Sequence, residues 1–76
     1  MKRVITVSTS YGSLEIVNLK RVWINSFLGY SLMYSDDIYE YNCIYTSNNR
    51  NKIPHFRELK AKLLEAYNKG DRIVEL

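Results

Sequence analysis

Cys43 and His55 are the one thiol and the one imidazole of the chain, twelve positions apart. A thiol beside an imidazole is the simplest nucleophilic arrangement, because the ring can take the thiol proton and leave a reactive thiolate. Cys43 sits in an apolar run, Tyr41–Thr46, where a lone cysteine acts as a small hydrophobe. His55 falls just inside a helix start and is expected to be exposed. The pair is therefore not read as catalytic. Asp36 and Asp37 are adjacent, and neighbours on a strand point to opposite faces, so they are read as a turn and not as a paired metal site. A zinc site needs about four clustered Cys, His or carboxylate ligands, and no such set is spaced for it. Gly12, Gly29 and Gly70 stand apart, so no glycine-rich phosphate loop is present. No catalytic residue, metal or cofactor is expected.

Binding chemistry is better represented. The run Asn48-Asn49-Arg50-Asn51-Lys52 has no apolar residue. As a connection between a strand and a helix it needs no function, since surface loops are normally polar. As a contact loop, Arg50 and Lys52 would meet phosphates or acidic side chains, while Asn49 and Asn51 would offer hydrogen bonds. Lys20, Arg21 and the helix bases Arg57, Lys60 and Lys62 would extend that surface. The chain also carries seven tyrosines in 76 residues, too many for a small core to bury. Tyr11, in the first turn, is the one expected to be fully exposed, Tyr30 or Tyr34 partly so, and Trp23 is assigned to the core. Tyrosine and arginine together suit a protein interface, and tyrosines interleaved with bases also suit nucleic acid.

Charge weighs between those two readings. The net charge is +3, but residues 31–49 carry −3 while residues 1–30 and 50–76 each carry +3. The bases of the last third are interspersed with Glu58, Glu65, Asp71 and Glu75, the pattern of a solvated helix face and not of a concentrated nucleic-acid stripe. A single cysteine excludes an intramolecular disulfide, and small secreted domains usually depend on disulfides. No stretch approaches the ~20 apolar residues of a membrane span or a signal-peptide core. A cytoplasmic setting is expected, with no membrane partner. Asn, Ile, Tyr and Lys make up 27 of the 76 residues. Their codons are AT-rich, as in many bacterial and phage genomes.

The elements that must position these residues follow from periodicity. At 76 residues the chain is read as one domain, 1–76. A core this small leaves roughly 3–5 kcal/mol of stability, which self-association would supplement. Arg3–Thr9 and Leu14–Leu19 read as a hairpin around Gly12, Arg21–Asn25 as a third strand after a bend at 18–20, and Tyr30–Ser35 as a fourth. Ile38–Thr46 reads as the fifth and longest. Its Tyr39, Tyr41, Cys43 and Tyr45 share one face, expected under the helix with Glu40 and Asn42 outside, although Ile38 and Ile44 on the other face argue the reverse. Phe56, Leu59, Leu63 and Tyr67 recur at helical spacing, between Pro54 at the start and Gly70 at the stop. That gives a helix over about 54–69, with Glu58–Lys62 and Glu65–Lys69 as favourable pairs, and a closing strand over about 72–76. The fold class is α+β: a small antiparallel β-meander of about five strands, a half-barrel of OB-like or SH3-like form, covered by one C-terminal helix.

The function favoured is that of a small non-enzymatic regulator or inhibitor, bacterial or phage, that occupies the surface of a protein partner and forms a homo-oligomer, a dimer first. A nucleic-acid-binding module using the basic loop and helix is the alternative. A structural subunit of a larger assembly is the third and least favoured reading.

Overall fold

The computed structural model describes residues 2–76. Strands β1 (Val4–Thr9) and β2 (Gly12–Val17) form an antiparallel hairpin whose register runs from Val4 opposite Val17 to Thr9 opposite Gly12. Two residues turn it, Ser10 and Tyr11, with Gly12 at φ 126° supplying a backbone that side chains disfavour. Alternation along both strands sends Ile5, Val7 and Ile16 to the core and Thr6 and Glu15 away from it. Asn18, at φ 53°, bends the chain, and its side chain accepts a hydrogen bond from Arg3 N.

A second sheet follows in the order β3-β4-β5: β3 (Arg21–Asn25), β4 (Tyr30–Ser35) and β5 (Asn42–Ser47). A single 3₁₀ turn, Arg50–Lys52, leads into helix α1 (Ile53–Lys69). Strand β6 (Ile73–Glu75) then lies parallel to β1, so the first sheet reads β2-β1-β6. The architecture is thus α+β, two three-stranded sheets and one C-terminal helix, and the sheets do not join into a closed barrel. The expected helix and closing strand are present within a residue of their expected bounds.

Pro54 occupies the first turn of α1, where its missing N–H breaks no helical bond. Phe56, Leu59, Leu63 and Ala66 form the buried stripe, and Leu63 has no exposed surface. Gly70 stops the helix in the left-handed region at φ 86°, and Asp71 N donates to Ala66 O at 3.0 Å. Arg3 closes the same end from the other terminus. Its guanidinium donates to Tyr67 O and lies 3.9 Å from the Tyr67 ring centroid, a cation placed where the helix dipole is negative.

The fifth strand departs from expectation. It begins at Asn42 and not at Ile38, because Ile38 N and Tyr39 N are taken by the Asp36 carboxylate and Asp36 N donates to Tyr39 O. Those amides serve a turn and are lost to a ladder. Within β5 the register slips: Leu32 faces Tyr45 while Met33 faces Cys43, leaving Ile44 as the extra residue of a bulge. Strict alternation therefore fails. Ile44 is buried, Tyr45 is half-buried, and Cys43, Tyr39 and Tyr41 are exposed, so the expected tyrosine face under the helix does not form. Asn42, expected outside, is half-buried and donates to the phenol oxygen of Tyr34, which is fully buried. Trp23 is half-buried on the outer side of β3 and not in the core. Neither expected helical ion pair closes. Among the described residues the ion pairs are Lys20–Asp37 at 3.5 Å and Lys69–Asp71 at 3.8 Å, both exposed.

Candidate interaction surface

The hairpin between β3 and β4 is turned by Ser26–Gly29. Asn25 Oδ1 accepts from Phe27 N at 2.9 Å, and Leu28 and Gly29 take φ of 56° and 105°. Left-handed backbone is ordinary for glycine and unfavourable for leucine. The turn projects two large apolar side chains into solvent: Phe27 is 78% exposed and Leu28 90%. Neither contributes to the core cluster.

The basic loop lies against this tip. A Cβ on Gly29 would stand 3.1 Å from Asn48 Oδ1, and Tyr30 pairs with Ser47 in the ladder. Asn49 accepts from Asn51 N at 2.9 Å through its side chain and from Lys52 N through its carbonyl. The Asn49 side chain is thus spent on shaping the 3₁₀ turn, while Asn51 gives it only a backbone N–H and its side chain, like Arg50 and Lys52, remains exposed. On one flank a cleft of about 440 Å³ separates β3 from α1, lined by Trp23, Ile24, Ser26, Ile53, Arg57 and Lys60. The Arg21 guanidinium covers the Trp23 ring at 4.1 Å. On the other flank a groove of about 480 Å³ brings Lys52 and His55 to Tyr11, Tyr45 and Phe56. Tyr11 is 79% exposed, as expected. Its ring centroid lies 5.6 Å from that of Tyr45, which stacks on Phe56 at 6.5 Å. The Tyr45 phenol accepts from Ser10 N at 3.2 Å, and hydrogen bonds from Ser10 hold its pKa below the ordinary value. Cys43 does not line the groove that holds His55.

One expected member stands elsewhere. Lys20 N bonds Ser35 O and the Lys20 ammonium pairs with Asp37. Ser35 ends β4 whereas Tyr30 begins it, so Lys20 lies about 17 Å of strand from the tip. Asp37 is held below the usual carboxylate range by the Asn18 amide and then by Lys20. Arg21 starts at that same far end and reaches back only as far as Trp23. The structure does bring Arg57 and Lys60 into one cleft with Trp23 and with Ser26 of the β3–β4 turn, and it sets Asn48 of the basic loop beside Gly29 of that turn, next to Phe27 and Leu28 in the chain. Phe27 and Leu28 were not among the expected site residues. Their signal in the sequence was an apolar pair inside a turn, where no core lies within reach.

Among the described residues no three His, Cys, Asp or Glu side chains gather as a metal site would require. None of the described helices is long and apolar enough to cross a membrane. No family model, no curated protein and no solved structure matches the chain.

Proposed function

We propose that this chain is a small non-enzymatic binding protein, a regulator that occupies an acidic surface of a protein partner with the β3–β4 tip and the basic start of α1. The observation that carries the reading is the tip: Phe27 and Leu28 are displayed to solvent on a turn that holds leucine at φ 56°. Apolar anchors ringed by polar and basic side chains are the usual composition of an interface hot spot. Arg57 and Lys60 share a cleft with Ser26 of the same turn, and the loop that carries Arg50 and Lys52 approaches the turn through Asn48, beside Gly29. A lone thiol and the charge balance suit a reducing, cytoplasmic setting, and the AT-rich residue usage suits a bacterial or phage source. Self-association belongs to the same reading, because β6 is a short edge strand with Ile73 61% exposed.

The test replaces Phe27 with Ser and Leu28 with Asn. Asparagine accepts left-handed backbone, so the melt should be unchanged or slightly raised. Capture of the partner from lysate should persist after nuclease treatment and fall at least tenfold with the double variant. Nucleic acid is the competing reading. Nuclease sensitivity, with log K falling steeply against log salt, would establish it and overturn the proposal.

A further inference from the structure

The cleft between β3 and α1 has two properties that a polypeptide in extended form can use together. First, β3 is the outer strand of β3-β4-β5. Among the described residues its outer edge has no backbone partner. An unpaired edge offers a row of N–H and C=O groups to an added strand. Arg21 is the one charged residue in Arg21–Asn25; the run has no proline, and the bulge lies on the far side of the sheet, between β4 and β5. Second, the wall facing that edge is basic. Arg57 and Lys60 stand three residues apart on α1, which places their Cβ atoms about 5–6 Å apart. Alternate side chains of an extended strand are about 6.6 Å apart, so carboxylates at every second position would meet the two cations in turn. Ile24, Ile53 and Trp23 add apolar surface to the lining of the cleft.

We propose that this cleft takes an extended acidic segment of the partner, added to β3 as a fourth strand, with carboxylates on Arg57 and Lys60. The proposal rests on the reading of the chain as a protein-binding regulator and names what the partner presents. Nucleic acid fits the cleft less well. Its phosphates would find the same two cations, but it has no backbone amides to pair with β3. One face of the aromatic ring beside the cations is also already taken, because the Arg21 guanidinium lies 4.1 Å from the Trp23 ring centroid.

Trp23 is the sole tryptophan, so its fluorescence reports on the cleft directly. Four probes are titrated into the intact protein: an eight-residue peptide alternating Glu and Val, its Lys–Val counterpart, the Glu–Val peptide with alternate amides N-methylated, and an eight-residue oligothymidylate. The expected result is a saturable Trp23 response to the Glu–Val peptide alone. The double variant Arg57→Glu, Lys60→Glu, at one exposed and one half-buried position, should weaken that peptide at least tenfold and admit the Lys–Val peptide. Undiminished binding of the N-methylated peptide would overturn strand addition. An equal response to Lys–Val, or no saturable response to Glu–Val, would overturn the cleft itself. A tighter response to the oligothymidylate would assign the cleft to nucleic acid. A negative result here, with partner capture still dependent on Phe27 and Leu28, refutes the cleft and spares the tip. Capture indifferent to Phe27 and Leu28 does the reverse.

Discussion

The Asp36 carboxylate, 3% exposed, accepts a hydrogen bond from Val17 N at 2.8 Å. Asp36 belongs to the β4–β5 turn of one sheet and Val17 is the last residue of β2 in the other, so a single side chain ties the two sheets at one end. Its second oxygen accepts from Ile38 N and Tyr39 N, which shapes the turn itself. The neighbouring Asp37 N donates to Val17 O and completes the junction. At the opposite end the Tyr45 phenol receives Ser10 N and does the corresponding work between β5 and the β1–β2 turn. The open side of this fold is therefore pinned at both ends by side chains and not by a continuous ladder.

Removing the Asp36 carboxylate should be severe. Asp36→Ala leaves three buried or half-buried N–H groups without their acceptor, at a cost of about 3 kcal/mol. That is comparable to the whole stability of a chain this small. Urea titration should find the variant largely unfolded, while Asp36→Asn, which keeps one acceptor oxygen, should retain a cooperative transition at lower urea. An Ala variant melting like the parent would mean that water satisfies those amides.

The helix stripe sets a second expectation. Leu63 is wholly buried at the centre of α1. Leu63→Ala should cost about 2–5 kcal/mol and leave little folded protein at room temperature. Circular dichroism against temperature measures it, and a melt near that of the parent would place the helix face wrongly.

How far the sequence already contained this structure depends on the element. The helix was legible because its apolar spacing, Pro54 and Gly70 all agree. Strands β1 to β4 were legible because alternation and turn residues coincide there. β5 was misjudged because two non-local effects intervene. Asp36 withdraws the amides of Ile38 and Tyr39, and a bulge at Ile44 shifts the alternation on which the tyrosine face was reckoned. Asp36 itself could be read as a turn residue but not as the tie between sheets, since its partner is a backbone amide 19 positions away. The same limit applies to the site. Composition could mark Arg50, Lys52 and Arg57, but only the strand register sets Lys20 at the far end of the sheet and brings the Ser26–Gly29 turn beside Asn48.

Alkaline pH should weaken the fold through Tyr34. Burial is the largest cause pushing its phenol above the ordinary value, with the Asn42 hydrogen bond opposing. A group raised in the folded state contributes its stability below the unfolded value, about 10, and loses it as pH climbs through the folded value. Tyr45, which is lowered, acts in the opposite direction and offsets part of this. The urea midpoint should hold from pH 7 to 9 and fall above 10, and Tyr34→Phe should lessen that fall. An equally steep fall in Tyr34→Phe would assign the alkaline loss to other groups.

Self-association should be visible in sedimentation at micromolar concentration. β6 has three residues and an exposed Ile73, and among the described residues no strand pairs with its outer edge. Pairing two such edges would cover both features. Ile73→Lys, placed on a half-solvated edge, should restore a monomer with little change in melting. A parent that sediments as a monomer throughout a concentration series would rule the dimer out.

The basic loop offers the clearest separation of binding from folding. Arg50 and Lys52 are exposed, and their 3₁₀ turn is held by Asn49 and not by their side chains. Replacing both with Ala should change stability by no more than about 0.5 kcal/mol. In the proposed binding mode their charge would flank the Phe27–Leu28 contact, and rim charges act chiefly by steering encounter. The double variant should therefore slow association with the captured partner several-fold at low salt and leave dissociation nearly unchanged. The difference from the parent should vanish as screening shortens the Debye length to about 3 Å at 1 M salt. Surface plasmon resonance at two ionic strengths separates the two rates. A loss concentrated in dissociation would place Arg50 or Lys52 inside the buried contact, beside the apolar tip. Unchanged rates at both salts would reduce the loop to a solvated connection, and the Tyr11–Tyr45 groove on the other flank of the helix would be the next surface to replace.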